Sequence, residues 1–240
     1  YTGTVQTDID GDLLTDTVNT TDGSHNMIID DDGTVHVFSP LYRIYSDAGA
    51  FSWIVNWNTM GMWHWSSGMP AAEIIDIELD WVNSTCDNNP YAGIGASTFN
   101  YRSAAPATNP AAAIDAASGV LYLLYTMKIE YTAVFDDPTN LSAQSFHDIF
   151  GMYSNDGGGS WTAPVNLTKN AEDGIENFYL NIYDRMVDGK IHAIWQQDNE
   201  PGHFNEGDPI TTNNMLYQSW DSESFTPTLP VANFTAAIDI

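Results

Sequence analysis

The chain has 240 residues, enough for one large all-β domain or two smaller ones, and sets 32 acidic side chains against 6 basic ones. A net charge of -26 and a pI near 4.1 repel phosphate backbones and anionic lipid, which excludes nucleic acid as a partner, and no apolar run is long enough for membrane insertion. The single cysteine, Cys86, rules out an intrachain disulfide, so the fold must hold together by packing, with or without bound metal.

Aromatic residues set among Asn, Gly, Asp and Pro punctuation favour strands over helices throughout. Because the chain opens at Tyr1 rather than Met, it reads as a processed or excised piece of something longer. Residues 1–26 form an irregular acidic segment. Within it, "TDIDGDLLTD" places Asp8, Asp10, Asp12 and Asp16 at alternating loop positions, the arrangement of hard oxygen ligands that Ca2+ requires. It resembles the calcium loops of dockerin and thrombospondin type 3 repeats. Leu13 stands where those loops carry Gly, and no Glu closes the loop, so an acidic solvated turn is the alternative.

Next comes "DDDGTVHVFSP" from Asp30, a turn glycine followed by period-two alternation, which predicts a hairpin leading into a half-buried strand. After "YRIYSDAGAFSW", the run "WNTMGMWHWSSGMP" gathers Trp57, Trp63 and Trp65. Alternation turns Met60, Met62 and His64 to one face and Trp63 and Trp65 to the other. One reading is core. The other is a stacking surface for sugar rings or a protein partner.

The Asp30 pattern returns as "AASGVLYLLYTM" and "MVDGKIHAIWQQ", with Gly33, Gly119 and Gly189 in register and His36, Tyr122 and His192 at matching places. Each is followed by a second pattern, "YRIYSDAGAFSW", "FGMYSNDGGGSW" or "LYQSWDSESFTP", so the order repeats. The spacing exceeds the roughly 40 to 50 residues of one four-stranded unit. A degenerate unit from Ala71 to Arg102 is expected in the first gap. A hairpin excursion, "KIEYTAVFDDPTNLSAQSFHD", is expected in the second.

"SNDGGGSW" fits Ser-x-Asp-x-Gly-x-Ser/Thr-Trp at Ser154, Asp156, Gly158, Ser160 and Trp161. It resembles the Asp-box (BNR-type) repeat of sialidase-like β-propellers, with worn copies at Asp47 and Asp221. The resemblance implies an all-β chain folded as a β-propeller of four-stranded antiparallel blades. About four blades are expected here, near 27–70, 71–105, 106–170 and 171–240, as part of a six- or seven-bladed ring. It also implies that the box is a structural turn on the outer rim. Asp and Ser side chains accept from turn amides, Gly158 supplies a positive φ, and Trp161 covers the turn.

Sialidases of this family hold a substrate carboxylate with three arginines, and Arg43, Arg102 and Arg185 are the only arginines present. That gives one reading, an exo-glycoside hydrolase of sialidase type. "YRIY" only half resembles the family's Arg-Ile-Pro signature, however, and abundant acids leave no distinguishable acid/base pair. The acidic loop with Asp198, Glu200, Glu206 and Asp208 is a second candidate cation site.

The combination of an acidic, disulfide-free propeller, an Asp-box and a blade ending in "WQQDNEPG" followed by "TNNMLYQSW" resembles secreted Bacteroidota proteins that carry type IX secretion sorting domains, which implies export to the cell surface or medium. The first expectation is therefore a non-catalytic, calcium-stabilised binding or assembly module for a glycan, a surface protein or other domains of a longer parent chain. A purely structural module of a larger surface protein or filament is the third reading.

Overall fold

A computed structural model describes residues 17–47, 50–54, 61–77, 105, 107–128, 146–169, 175–199 and 211–227. The described chain is all-β and antiparallel, with one short 3-10 helix at Ser222–Phe225. The strands are β1 (Thr17–Thr20), β2 (Asn26–Ile29), β3 (Val35–Pro40), β4 (Tyr42–Asp47), β5 (Ala50–Ile54), β6 (Gly61–Ser66) and β7 (Glu73–Asp76). They continue with β8 (Ala107–Ile114), β9 (Leu121–Lys128), β10 (His147–Ser154), β11 (Val165–Asn166), β12 (Glu176–Ile182), β13 (Lys190–Asp198) and β14 (Asn214–Asp221).

Two sheets have four strands, β2-β3-β6-β7 and β8-β9-β10-β11, and two have three, β12-β13-β14 and β1-β4-β5. The repeat glycines explain the hairpins. Gly33, Gly119 and Gly189 adopt φ of 83°, 74° and 72°, and each sits in the turn from the first to the second strand of its sheet. A side chain is strained in that left-handed region, and glycine is not.

The β2-β3-β6-β7, β8-β9-β10-β11 and β12-β13-β14 sheets stack in chain order. One core cluster joins the first two through Phe38, Met62, Leu123, Tyr125 and Met152. A second joins the last two through Tyr122, Leu124, Ile149, Ile191 and Trp195. Alternation along β9 therefore feeds both interfaces: Leu121, Leu123 and Tyr125 face one neighbour, while Tyr122 and Leu124 face the other. The first strands meet, since β8 packs against β2 on one side and β12 on the other, and a parallel bridge pairs Ile114 with Arg185. Alanines at 111, 112 and 113 suit β8 to this crowded place.

Two sequence expectations are corrected. "YSDAGAFSW" does not occupy the place of the Ser154–Trp161 turn. Its Asp47 ends β4, whose hairpin with β5 interrupts the chain between the paired strands β3 and β6 and belongs to the separate β1-β4-β5 sheet. The segment expected as a degenerate unit from Ala71 begins instead with β7, the outer strand of the β2-β3-β6-β7 sheet. Residues 78–104 lie outside the described residues. The flanks of the expected excursion, β9 and β10, are antiparallel neighbours from Lys128↔His147 onward. Residues 129–145 between them lie outside the described residues.

Candidate functional site

The first strands of two sheets are interrupted at corresponding places. In β8 the ladder shifts between Thr108 and Ala111, opposite Tyr125, and in β12 it shifts between Phe178 and Asn181, opposite Trp195. Each bulge holds a non-glycine residue at positive φ, Asn109 at 49° and Tyr179 at 55°. Asn tolerates this region, Tyr does so only under strain, and Pro110 loses no ladder bond where the ladder is already broken. Such outliers persist where the surroundings fix them.

At the β8 bulge the fixing groups come from the segment that leads into and opens β2 of the neighbouring sheet. Asp22 Oδ2 accepts from Ala105 N at 2.9 Å and Thr108 Oγ1 at 2.6 Å, Ser24 Oγ accepts from Asn109 N at 3.2 Å, and Asn26 Oδ1 accepts from Ala112 N at 3.1 Å. Amides that the bulge frees are thereby satisfied by side chains leading into β2. A pocket of ≈ 310 Å³ opens where the three first strands converge. Each strand, or its lead-in, contributes one asparagine: Asn26, Asn109 and Asn181. His25 and Ser24 add polar atoms, and Pro110, Leu180 and Ile182 add an apolar wall. Asn109 Nδ2 is buried without a hydrogen-bond partner among the described residues.

No carboxylate, arginine or lysine lines this pocket among the described residues. Its chemistry is that of neutral amides, which donate and accept, beside an apolar face. Among the described residues it has no charged clamp for a carboxylate and no acid/base pair of carboxyls.

Two buried polar clusters lie elsewhere. Between the β8-β9-β10-β11 and β12-β13-β14 sheets, Asp148 accepts from Asn166 at 2.7 Å, Asn177 at 2.9 Å and Thr168 at 3.1 Å. Asn177 Oδ1 in turn accepts from Trp195 Nε1 and Gln197 Nε2, both at 2.8 Å. Burial pushes the Asp148 carboxyl up, and these donors pull it partly back. His147 Nδ1 and Glu176 Oε1 stand 2.8 Å apart beside this network. Between the first two stacked sheets, His36 Nδ1 lies 3.1 Å from His64 Nε2. Burial, then the neighbouring His36, depress His64 to about 4.

The Ser154–Trp161 turn lies between β10 and β11. Asp156 Oδ1 accepts from Ser154 Oγ at 2.7 Å and Ser160 N at 2.8 Å, and its Oδ2 accepts from Ser160 Oγ at 2.7 Å. These bonds, those from Ser160 first, hold its carboxyl at about 2. Ser154 Oγ accepts from Gly158 N, and Trp161 Nε1 donates back to the Gly158 carbonyl. The side-chain polar groups of Ser154, Asp156, Ser160 and Trp161 thus bond within the turn itself. Trp161 meets Phe38 and His64 of the preceding sheet edge-on. Asp221, at the exit of β14, likewise accepts from Ser224, and Phe225 behind it packs edge-on against Tyr122 of the preceding sheet.

Of the candidate arginines, Arg185 is not in the pocket. Its guanidinium donates to the carbonyls of Ile29 at 2.7 Å and Asp184 at 3.1 Å and lies 3.8 Å from Asp31. The Arg43 backbone pairs with Asn19 and Ile54 in the β1-β4-β5 sheet, and Arg102 lies outside the described residues. So do Asp8, Asp10, Asp12, Asp16, Trp57, Glu200, Glu206 and Asp208. Asp198 ends β13 and is buried, and no group of three or more His, Cys, Asp or Glu among the described residues is placed to hold a metal. Trp63 and Trp65 are half-buried, opposite in face to the buried Met62 and His64. Sequence reasoning missed the three asparagines. The available signal was "TNPA", a proline inside an apolar strand, which marks a bulge.

No protein-family model and no curated protein sequence matches the chain. Among solved structures it is similar to a Dyadobacter fermentans protein of unknown function, with TM-score 0.38 and 13% identity, covering 72% of this chain and 43% of that one. It is also similar to a Hadza microbial sialidase, Hz136, with TM-score 0.37 and 11% identity, covering 84% and 38%. The chain thus spans less than half the length of either.

Proposed function

We propose that the three stacked sheets are consecutive blades of a β-propeller and that the pocket at their converging first strands binds a neutral, hydroxyl-rich ligand of the glycan class without chemical turnover. The observation that carries this reading is the trio Asn26, Asn109 and Asn181, one from each sheet, around a pocket with an apolar wall. Amides hydrogen-bond hydroxyls in either direction, and the apolar wall suits the C–H face of a sugar ring. The absence of charge among the described lining residues favours a neutral ligand over a sialic acid, whose carboxylate calls for guanidinium groups.

In this reading the Ser154–Trp161 turn is a structural Asp-box at the blade exit. Calcium held by Asp8, Asp10, Asp12 and Asp16 and display at a cell surface or in the medium belong to the same proposal, on the strength of the sequence patterns. Isothermal titration against neutral and sialylated oligosaccharides is the test. Binding of a neutral glycan, weakened about tenfold by Asn109→Ala and by Asn181→Ala as one hydrogen bond is lost, is the expected result. Release of free sialic acid from a sialylated substrate would replace it with the glycoside hydrolase reading.

A further inference from the structure

A line of polar contacts runs through the interface between the first two stacked sheets, and its geometry fixes where the hydrogens lie. It starts at Gly158, whose amide is given to Ser154 Oγ. The Gly158 backbone is also a hydrogen-bond partner of His64, so the group that meets the ring is the carbonyl, and His64 donates to it. His64 Nε2 lies 3.1 Å from His36 Nδ1, which leaves Nδ1 as the donor to Gly158. A neutral His64 therefore turns an acceptor toward His36, and His36 Nδ1 must carry a hydrogen. Burial, then His36, depresses His64 to about 4, which keeps this ring neutral and is the response to a positive neighbour.

The far end of the line has acceptors in excess. His36 is buried, and its Nε2 has no hydrogen-bond partner among the described residues. It faces Asp30 Oδ2 at 3.5 Å, the separation of an ion pair. Asp30 Oδ1 accepts from Asp32 N at 3.0 Å and Thr34 N at 2.7 Å. Against burial, which raises it, the Thr34 amide, His36 and the Asp32 amide hold the Asp30 carboxyl below its ordinary value, so it is ionised. With a hydrogen on Nδ1 alone, His36 would aim a lone pair at this carboxylate from inside the core.

We propose that His36 is a buried imidazolium that locks the first hairpin to the second sheet: one N–H bonds neutral His64, the other pairs with Asp30, and removal of the second hydrogen releases the β2–β3 turn. Among the described residues, the titratable groups facing His36 are Asp30 from that turn and His64 from β6. The neighbouring sheet sets the uncharged Trp161 ring and Gly158 against His64. A net charge of -26 favours retention of a buried cation. The turn also meets the third sheet's side of the stack, because Arg185 donates to the Ile29 carbonyl at 2.7 Å and lies 3.8 Å from Asp31. The lock shares no residue with the asparagine pocket and does not rest on the ligand reading.

Long-range proton–nitrogen NMR spectra of the labelled chain at about pH 7 test it, since they separate protonated from bare ring nitrogens. His36 should show two protonated nitrogens, and His64 a protonated Nδ1 beside a bare Nε2. Asp30→Asn keeps an acceptor for the Asp32 and Thr34 amides and offers His36 Nε2 a donor, so it should leave His36 neutral with its hydrogen on Nδ1. As rising pH removes the second hydrogen from wild-type His36, exchange of the Asp32 and Thr34 amides, corrected for its intrinsic pH dependence, should quicken about tenfold. In Asp30→Asn it should not. The wild-type spectrum decides even where Asp30→Asn fails to fold. A bare nitrogen on wild-type His36 at that pH, an unchanged His36 in folded Asp30→Asn, or a His36 signal that responds to Zn2+ or chelator would overturn the proposal, the last in favour of a bound metal ion.

Discussion

Gly158 lies so close against the His64 ring of the neighbouring sheet that a Cβ at this position would overlap the imidazole. The same residue has φ of 94° and donates to Ser154, so one glycine serves both the turn and the contact between sheets. Gly158→Ala should cost about 2–4 kcal/mol, from strain at positive φ plus overpacking. Gly157→Ala, at φ 70° with nothing within 4 Å of the new Cβ, should cost only the strain, about 1–2 kcal/mol. Thermal or urea melts of the two variants separate these contributions; equal losses would remove the role of His64.

His64 gives the fold an acid limit. Its pKa is depressed from 6.5 to about 4, so it stays neutral when folded and gains a proton on unfolding. The stability it contributes is present above pH 6.5 and is lost as the pH falls toward about 4. Asp156, lowered from 3.8 to about 2, adds a second loss in the window between those values. The urea midpoint should therefore fall from pH 6.5 to pH 4, and His64→Gln should flatten that slope while leaving the part below pH 4.

The Asp148 network predicts coupled losses. Asp148→Ala leaves the donors of Asn166, Thr168 and Asn177 without this acceptor, and Asn177→Ala strands Trp195 Nε1 and Gln197 Nε2 and removes one of the three donors to the carboxyl. Each should destabilise by about 2–4 kcal/mol. The double variant should cost clearly less than the two losses added, because the residues share a bond.

These features differ in how far the sequence disclosed them. The turn glycines and the Ser154–Trp161 pattern are local signals, since φ and short-range side-chain bonds are set within a few residues. "YSDAGAFSW" has nearly the same local signature yet forms an inserted hairpin, because pairing partners, not turn residues, decide which sheet a strand joins. The pocket was hidden for a related reason. Asn26, Asn109 and Asn181 are far apart in sequence and meet only through the stacking of three sheets. His36 and His192 hold matching repeat positions but differ in partners: His36 faces His64 in the interior, while His192 contacts the exposed Tyr217.

If Asp8, Asp10, Asp12 and Asp16 bind calcium, the melting temperature should rise with added Ca2+, by an amount equivalent to about 2.7 kcal/mol at a hundredfold excess over the dissociation constant. Asp10→Asn with Asp12→Asn should abolish the rise. A melting temperature indifferent to calcium and to chelator would leave the segment as a solvated acidic turn.

On the proposed function, ligand enters where the three first strands meet. Amide chemical-shift mapping during titration with a panel of neutral oligosaccharides tests it most directly. Resonances of Asn26, Asn109 and Asn181 should shift together with one shared binding curve, and Asn181→Ala should weaken it. Shifts confined to the face of Trp63 and Trp65, with those three asparagines silent, would contradict it.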